Sequence, residues 1–115
     1  MFSLVSRDPI NQHHVLVIPR AHHESFAELP PNVAAHLWSV AQGVSAGIRR
    51  VATPDGITHI SEDDFGSGQL NLIRHYKLHI IPRFTDDGCS LKWHRPPDPG
   101  QAARSELARA IREHL

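Results

Sequence analysis

The stretch His75-Tyr76-Lys77-Leu78-His79-Ile80-Ile81-Pro82-Arg83 constrains this chain more than any other, because it alternates. Successive side chains of a strand point to opposite faces. A strand through this region puts Ile73, His75, Lys77, His79 and Ile81 on one face. Leu72, Tyr76, Leu78 and Ile80 fall on the other, with Arg74 as the charged exception. The second face can pack on a core. The first offers two imidazoles flanking an ammonium, where a solvated strand more usually carries Thr, Lys and Glu. That face reads as the floor of a site for something anionic.

The remaining segments supply partners for such a strand. Phe2 to Ser6 and His14 to Ile18 are strand candidates, the second β-branched and aliphatic. Between them Asp8-Pro9-Ile10-Asn11-Gln12 is rich in turn formers, so the pair predicts an antiparallel hairpin. Pro30-Pro31-Asn32 opens a helix. Its apolar residues Val33, Leu37, Val40, Ala41, Val44, Ile48 and Val51 are spaced 4, 3, 1, 3, 4 and 3 apart, one stripe at a period near 3.6. Gly43 and Gly47 weaken that helix by about 1 kcal/mol each relative to Ala, unless they mark a close backbone approach. Thr53-Pro54-Asp55-Gly56 ends it. Ile57 to Ser61 is a short strand, Glu62 to Gly68 an acidic loop, and Leu70 to Arg83 the long strand. Beyond the Asp86-Asp87-Gly88 turn, Trp93 to Gly100 is proline-rich and extended, and Gln101 to Leu115 reads as a C-terminal helix. The pattern predicts one α+β domain over residues 1–115: an antiparallel sheet with one central helix and a C-terminal helix.

Composition excludes several classes. At 115 residues the chain is long enough for one modest core. Lys+Arg and Asp+Glu are 12 each, so there is no net charge to coat nucleic acid or hold an anionic membrane. The 10 histidines turn the chain cationic below about pH 6. A single cysteine, Cys89, rules out an internal disulfide and a Cys-x-x-Cys zinc clip. No segment is apolar enough to span a membrane, and the N-terminus lacks a secretory pattern. The expectation is a soluble protein of a reducing compartment, the cytoplasm. His75 and His79, roughly 13 Å apart if both lie on one strand, could not share one zinc, and no metal or other cofactor is expected.

Two segments resemble a known family. His14-Val15-Leu16-Val17-Ile18-Pro19-Arg20-Ala21-His22 is similar to the H-x-L-V-I-P-K-x-H strand of the histidine triad (HIT) superfamily. His75-x-Lys77-x-His79-Ile80-Ile81-Pro82-Arg83 is similar to its H-x-H-x-H-x-x-P-R signature. The likeness runs over about residues 2–95, helix and loop included. It implies a small α+β fold, usually homodimeric. It also implies binding of a purine nucleotide or another phosphate-bearing molecule, and hydrolysis or transfer at an α-phosphate of the phosphoramidate or dinucleoside polyphosphate class.

Residue by residue, the resemblance assigns His79 to contact with the phosphate, His75 to a supporting role and His14 to buttressing the nucleophile. Lys77 falls where the family has its nucleophilic histidine. Three roles are open to it: nucleophile, charged phosphate clamp, or remnant of a decayed site. A neutral amine can attack phosphorus only if its pKa falls from about 10.4 towards 7, and the resulting phosphoramidate hydrolyses slowly. Ser6 stands where the family places an Asp that holds the ribose hydroxyls. Gly66-Ser67-Gly68-Gln69 lies two residues further from the first histidine than the family's loop does, and an ungapped match puts Asn71 at its Gln position. Ser6, Gln69, Asn71 and Arg83 are therefore the expected ligand-binding residues, Arg83 at the rim. The activity expected is weak or absent. The competing readings are a non-catalytic interaction protein with a vestigial pocket and a lysine-nucleophile nucleotidyl transferase. Trp93 either packs over a sheet edge or reaches a partner's pocket.

Overall fold

The computed structural model describes residues 1–7, 9–61, 73–90 and 93–115. Among these, four strands form one sheet: β1 (Phe2–Val5), β2 (Val15–Ile18), β3 (Gly56–Ser61) and β4 (Leu78–Arg83). Their order is β1-β2-β4-β3 and every neighbouring pair is antiparallel. Two helices accompany it, α1 (Pro31–Ala52) and α2 (Gln101–Arg112), with a short 3-10 turn at Phe26–Glu28. The architecture is α+β, as the alternation and the helical stripe predict.

The hairpin pairs Leu4 with Leu16 and Val5 with Val15, and β2 then pairs Val15 with Ile80 and Val17 with Leu78. Val15, Val17, Leu78 and Ile80 consequently leave the sheet on one side, and α1 packs there against β2 and β4. Leu37, Ala41 and Ile48 of α1 close over Val17, Tyr76, Leu78 and Ile80 to make the core. Pro31 occupies the first helical turn, where a missing N–H costs nothing. Thr53 ends the helix in the left-handed conformation (φ 46°), its N–H bonded to the carbonyl of Arg49.

The structure corrects the sequence reading at several places. Regular β-pairing of β4 begins at Leu78, although a strand from Leu70 is expected; residues 70–72 lie outside the described segments. Ahead of Leu78 the backbone finds other partners. The N–H of His75 turns back to the carbonyl of Ile73 (2.7 Å), and that of Tyr76 donates to the carbonyl of His23 (2.6 Å). Tyr76 nevertheless keeps its place in the core, so the apolar half of the alternation survives the loss of pairing. Val51 ends the apolar stripe of α1 but is 78% exposed, while its neighbour Ala52 is the residue of that last turn that packs against the core. A Cβ added at Gly43 or Gly47 would meet nothing within 4 Å, so neither marks a close backbone approach. The C-terminal helix ends at Arg112 and buries no residue. Trp93 is exposed and does not pack over a sheet edge.

Candidate functional site

On the face of the sheet opposite α1, β4 presents His79, flanked by Leu16 of β2 and Ile60 of β3. The loop joining β1 to β2 folds over it. That loop is tied down by backbone pairing at its ends, Ser6 N–H to His14 carbonyl (2.7 Å) and His14 N–H to Asn11 carbonyl (3.1 Å). It is stapled in its middle by Asn11, whose Nδ2 donates to the carbonyl of Pro82 (2.8 Å) while its Oδ1 accepts the N–H of His13 (3.1 Å). The result delivers His14 onto His79. The two rings lie 5.2 Å apart between centroids, and Nε2 of His14 is 3.0 Å from Nδ1 of His79. The far nitrogen of His14, Nδ1, accepts the backbone N–H of Ile10 (3.0 Å).

Both imidazoles are 2% exposed, and burial disfavours their charged forms. Desolvation lowers the pKa of His14. It lowers that of His79 further, to about 4, with help from His14 and then from the positive charge of Lys77. The pair is therefore neutral at pH 7 even though each is polar and deeply placed. Lys77 is itself only 8% exposed. Its Nζ donates to the carbonyls of Ile73 (3.0 Å) and His75 (2.9 Å), which pins the bend that precedes β4.

His14 and His79 are thus brought into contact, with Lys77 buried just ahead of them and acting on His79 through its charge; the other expected members are placed differently. The common strand face for His75, Lys77 and His79 does not form, because residues 73–77 are not in the sheet. His75 turns to the end of β2, its Nε2–H donating to the carbonyl of Pro19 (2.9 Å) and its ring meeting that of His22 edge-on. Ser6 adjoins His14 through its backbone. Gln69 and Asn71 lie outside the described residues, as does the acidic run Glu62-Asp63-Asp64.

Arg83 lines a cavity of about 290 Å³ on this same face, together with Ile10, Thr58, Ile60, Ile81 and Cys89. Its guanidinium is not held out into the opening. It forks onto Asp87 (2.8 and 3.1 Å), reaches the carbonyl of Cys89 (2.6 Å) and lies 3.4 Å from the hydroxyl of Thr58. Asp87 also accepts the N–H groups of Phe84 and Cys89, and the Arg83 bonds, with these two, hold its carboxyl well below the usual carboxylate range. Arg83 therefore builds the wall of the cavity by shaping the 84–90 loop.

Three contributors escaped the sequence reading. Asn11 and the N–H of Ile10 looked like plain turn residues. The Asn-x-His spacing at 11–13 does fit a side chain that bonds the backbone two residues on. Asp87 looked like part of a simple turn, and no local signal ties it to Arg83 beyond the four-residue spacing. Among the described residues no group of three or more His, Cys, Asp or Glu is arranged to hold a metal ion. None of the helices among them is long and apolar enough to cross a membrane.

The geometry has recognisable relatives. A HIT family protein of Bacillus anthracis superposes with a TM-score of 0.85 at 23% identity, covering 98% of this chain and 80% of that one, a likeness of fold. A hypothetical histidine triad nucleotide-binding protein of Sulfolobus tokodaii is 27% identical, with a TM-score of 0.64 over 95% of this chain and 72% of its own. In sequence, adenylylsulfatase HINT3 of Arabidopsis thaliana is 29% identical over 116 aligned positions, covering 97% of this chain and 57% of the relative. The chain spans 57–61% of the length of three such curated relatives. With residues 1–86 of its 115 matched to the HIT domain, the chain belongs to the HIT family.

Proposed function

We propose that this chain binds a nucleotide, or another small phosphate ester, with its α-phosphate beside His79. The observation that carries the reading is electrostatic. Two buried groups stand two residues apart, the His79 imidazole and the Lys77 amine; burial, then His14 and last Lys77 disfavour a charge on His79, so a phosphate placed there meets a cation and a neutral imidazole together. His14 positions His79, and His75 holds the backbone against β2. Ser6, Gln69 and Asn71 are assigned to the ligand, with Arg83 shaping the cavity beside it. The names of two relatives, an adenylylsulfatase and a nucleotide-binding protein, support this class of ligand.

Turnover is weak or absent in this reading. Lys77 stands at the family's nucleophile position, and an ammonium donating to two carbonyls has no lone pair to offer phosphorus. Any reaction is hydrolysis or transfer at the α-phosphorus. The protein works as a homodimer in the cytoplasm, the exposed Trp38 and β3, an edge strand of the sheet among the described residues, being suited to a second copy. A second reading, an interaction protein with a vestigial pocket, draws on the same carbonyl bonds: they give Lys77 a structural task without any ligand.

Calorimetric titration with AMP and GMP separates the two. Binding tighter than about 1 mM, roughly 4 kcal/mol of affinity, is expected and should weaken at least tenfold in Lys77→Ala. Thermal unfolding shows whether that variant is folded. No heat from either nucleotide would favour the interaction protein. Lys77→His is expected to raise hydrolysis of a nucleoside phosphoramidate. A nucleotidyl mass increment on Lys77 itself would instead make lysine the nucleophile.

A further inference from the structure

We infer that the β1–β2 loop fixes the tautomer of His79: the backbone N–H of Ile10, acting through His14, obliges His79 to carry its hydrogen on Nε2. The inference rests on the phosphate site proposed above only for its use, not for its geometry.

The chain of reasoning starts at a donor whose direction is beyond choice. A backbone N–H can only donate, and Ile10 donates to Nδ1 of His14 at 3.0 Å. An imidazole nitrogen that accepts carries no hydrogen, so a neutral His14 has its hydrogen on Nε2. That Nε2 lies 3.0 Å from Nδ1 of His79, so His14 donates and His79 accepts. The one hydrogen of neutral His79 is left to Nε2. Each link depends on both rings being neutral, and desolvation favours that state for both. A protonated His14 could not accept from Ile10 at all.

The relay is rigid because its first member is. Asn11, next to Ile10, binds the carbonyl of Pro82 on β4 and the N–H of His13. His14 is gripped at both backbone groups, by Ser6 and Asn11. His14 is a positioning residue here, and so is the loop it closes. The consequence for the site is a polarity. Whatever atom meets Nε2 of His79 has to accept a hydrogen bond: a phosphoryl oxygen fits, an amine or amide N–H does not. In this tautomer His79 gives a hydrogen to oxygen and has no Nε2 lone pair with which to attack phosphorus.

Long-range proton–nitrogen NMR of the unliganded chain, labelled with ring-nitrogen-15 histidine at pH 7.5, reads the tautomers directly. His14 and His79 are each expected to show a hydrogen-bearing Nε2 and a bare Nδ1. In His14→Phe the His79 nitrogens should shift towards a mixture of the two forms. In His14→Gln, whose side-chain N–H can replace the donor, they should return. A hydrogen on Nδ1 of His79 in the wild-type chain overturns the relay, whether or not any variant folds. So does an unchanged Nε2–H form in a folded His14→Phe. Failure of AMP and GMP to bind would leave the ring signals as they are, so the loss of the phosphate reading is distinguishable from the loss of this one.

Discussion

Leu78 and Ile80 leave β4 towards α1, whereas His79 leaves it towards the β1–β2 loop, and the two sides obey different rules. The first is fixed by area removed from water, which is non-directional and forgiving of detail. Tyr76 shows this, since it keeps its buried place although the chain around it has left the sheet. The second side is fixed by hydrogen bonds that each need a donor, an acceptor and an angle: Ile10 to His14, His14 to His79, Lys77 to two carbonyls. One strand therefore carries a face that tolerates error and a face that does not.

The contrast can be attacked in three places. Leu78→Ala, on the tolerant side, removes a fully buried side chain and should destabilise the fold by about 2–5 kcal/mol in urea unfolding. A loss below about 1 kcal/mol would mean that the helix side is not the core it looks like. The polar side should show itself in acid. The folded-state pKa of His79 lies near 4, below its ordinary 6.5, so the unfolded chain binds the proton first as pH falls. Stability contributed by keeping the ring neutral is fully present above about pH 6.5 and is lost as pH falls towards 4, on the order of 3 kcal/mol in all. His14 shifts the same way and adds to the slope. Stability independent of pH across that window would show that the rings are not jointly buried and neutral. The smallest effect tests a position that belongs to neither side. Gly43 has open space around it, so Gly43→Ala should raise stability by roughly 0.5–1 kcal/mol in thermal unfolding. A loss there would reveal a neighbour absent from the isolated chain.

The same division governs what the sequence made legible. Helix and strands were readable because apolar periodicity acts over many residues at once: the stripe from Val33 to Ile48 and the β-branched run Val15 to Ile18 leave little room for another structure. The start of β4 was not readable. Alternation at His75, Tyr76 and Lys77 satisfies a strand pattern, but nothing local says that the Tyr76 N–H will prefer the carbonyl of His23. The site was half readable. His14, Lys77 and His79 could be singled out by residue type and by resemblance. Their bonding could not, because it depends on Asn11, a residue 71 positions from the carbonyl it binds. Arg83 illustrates the limit: a cation at a rim suggests a ligand, and only the fold shows that Asp87 has already claimed it.

The way Lys77 is bonded restricts what else could stand at that position. Its ammonium caps two backbone oxygens at once, those of residues 73 and 75. A histidine there has two nitrogens: used as a nucleophile it must keep one of them bare, which leaves a single N–H for two oxygens. An aliphatic residue would serve neither oxygen. Installing a reactive imidazole at 77 therefore unfastens part of the bend that leads into β4, so a chain evolving between the two states gains the new chemistry at the expense of that bend.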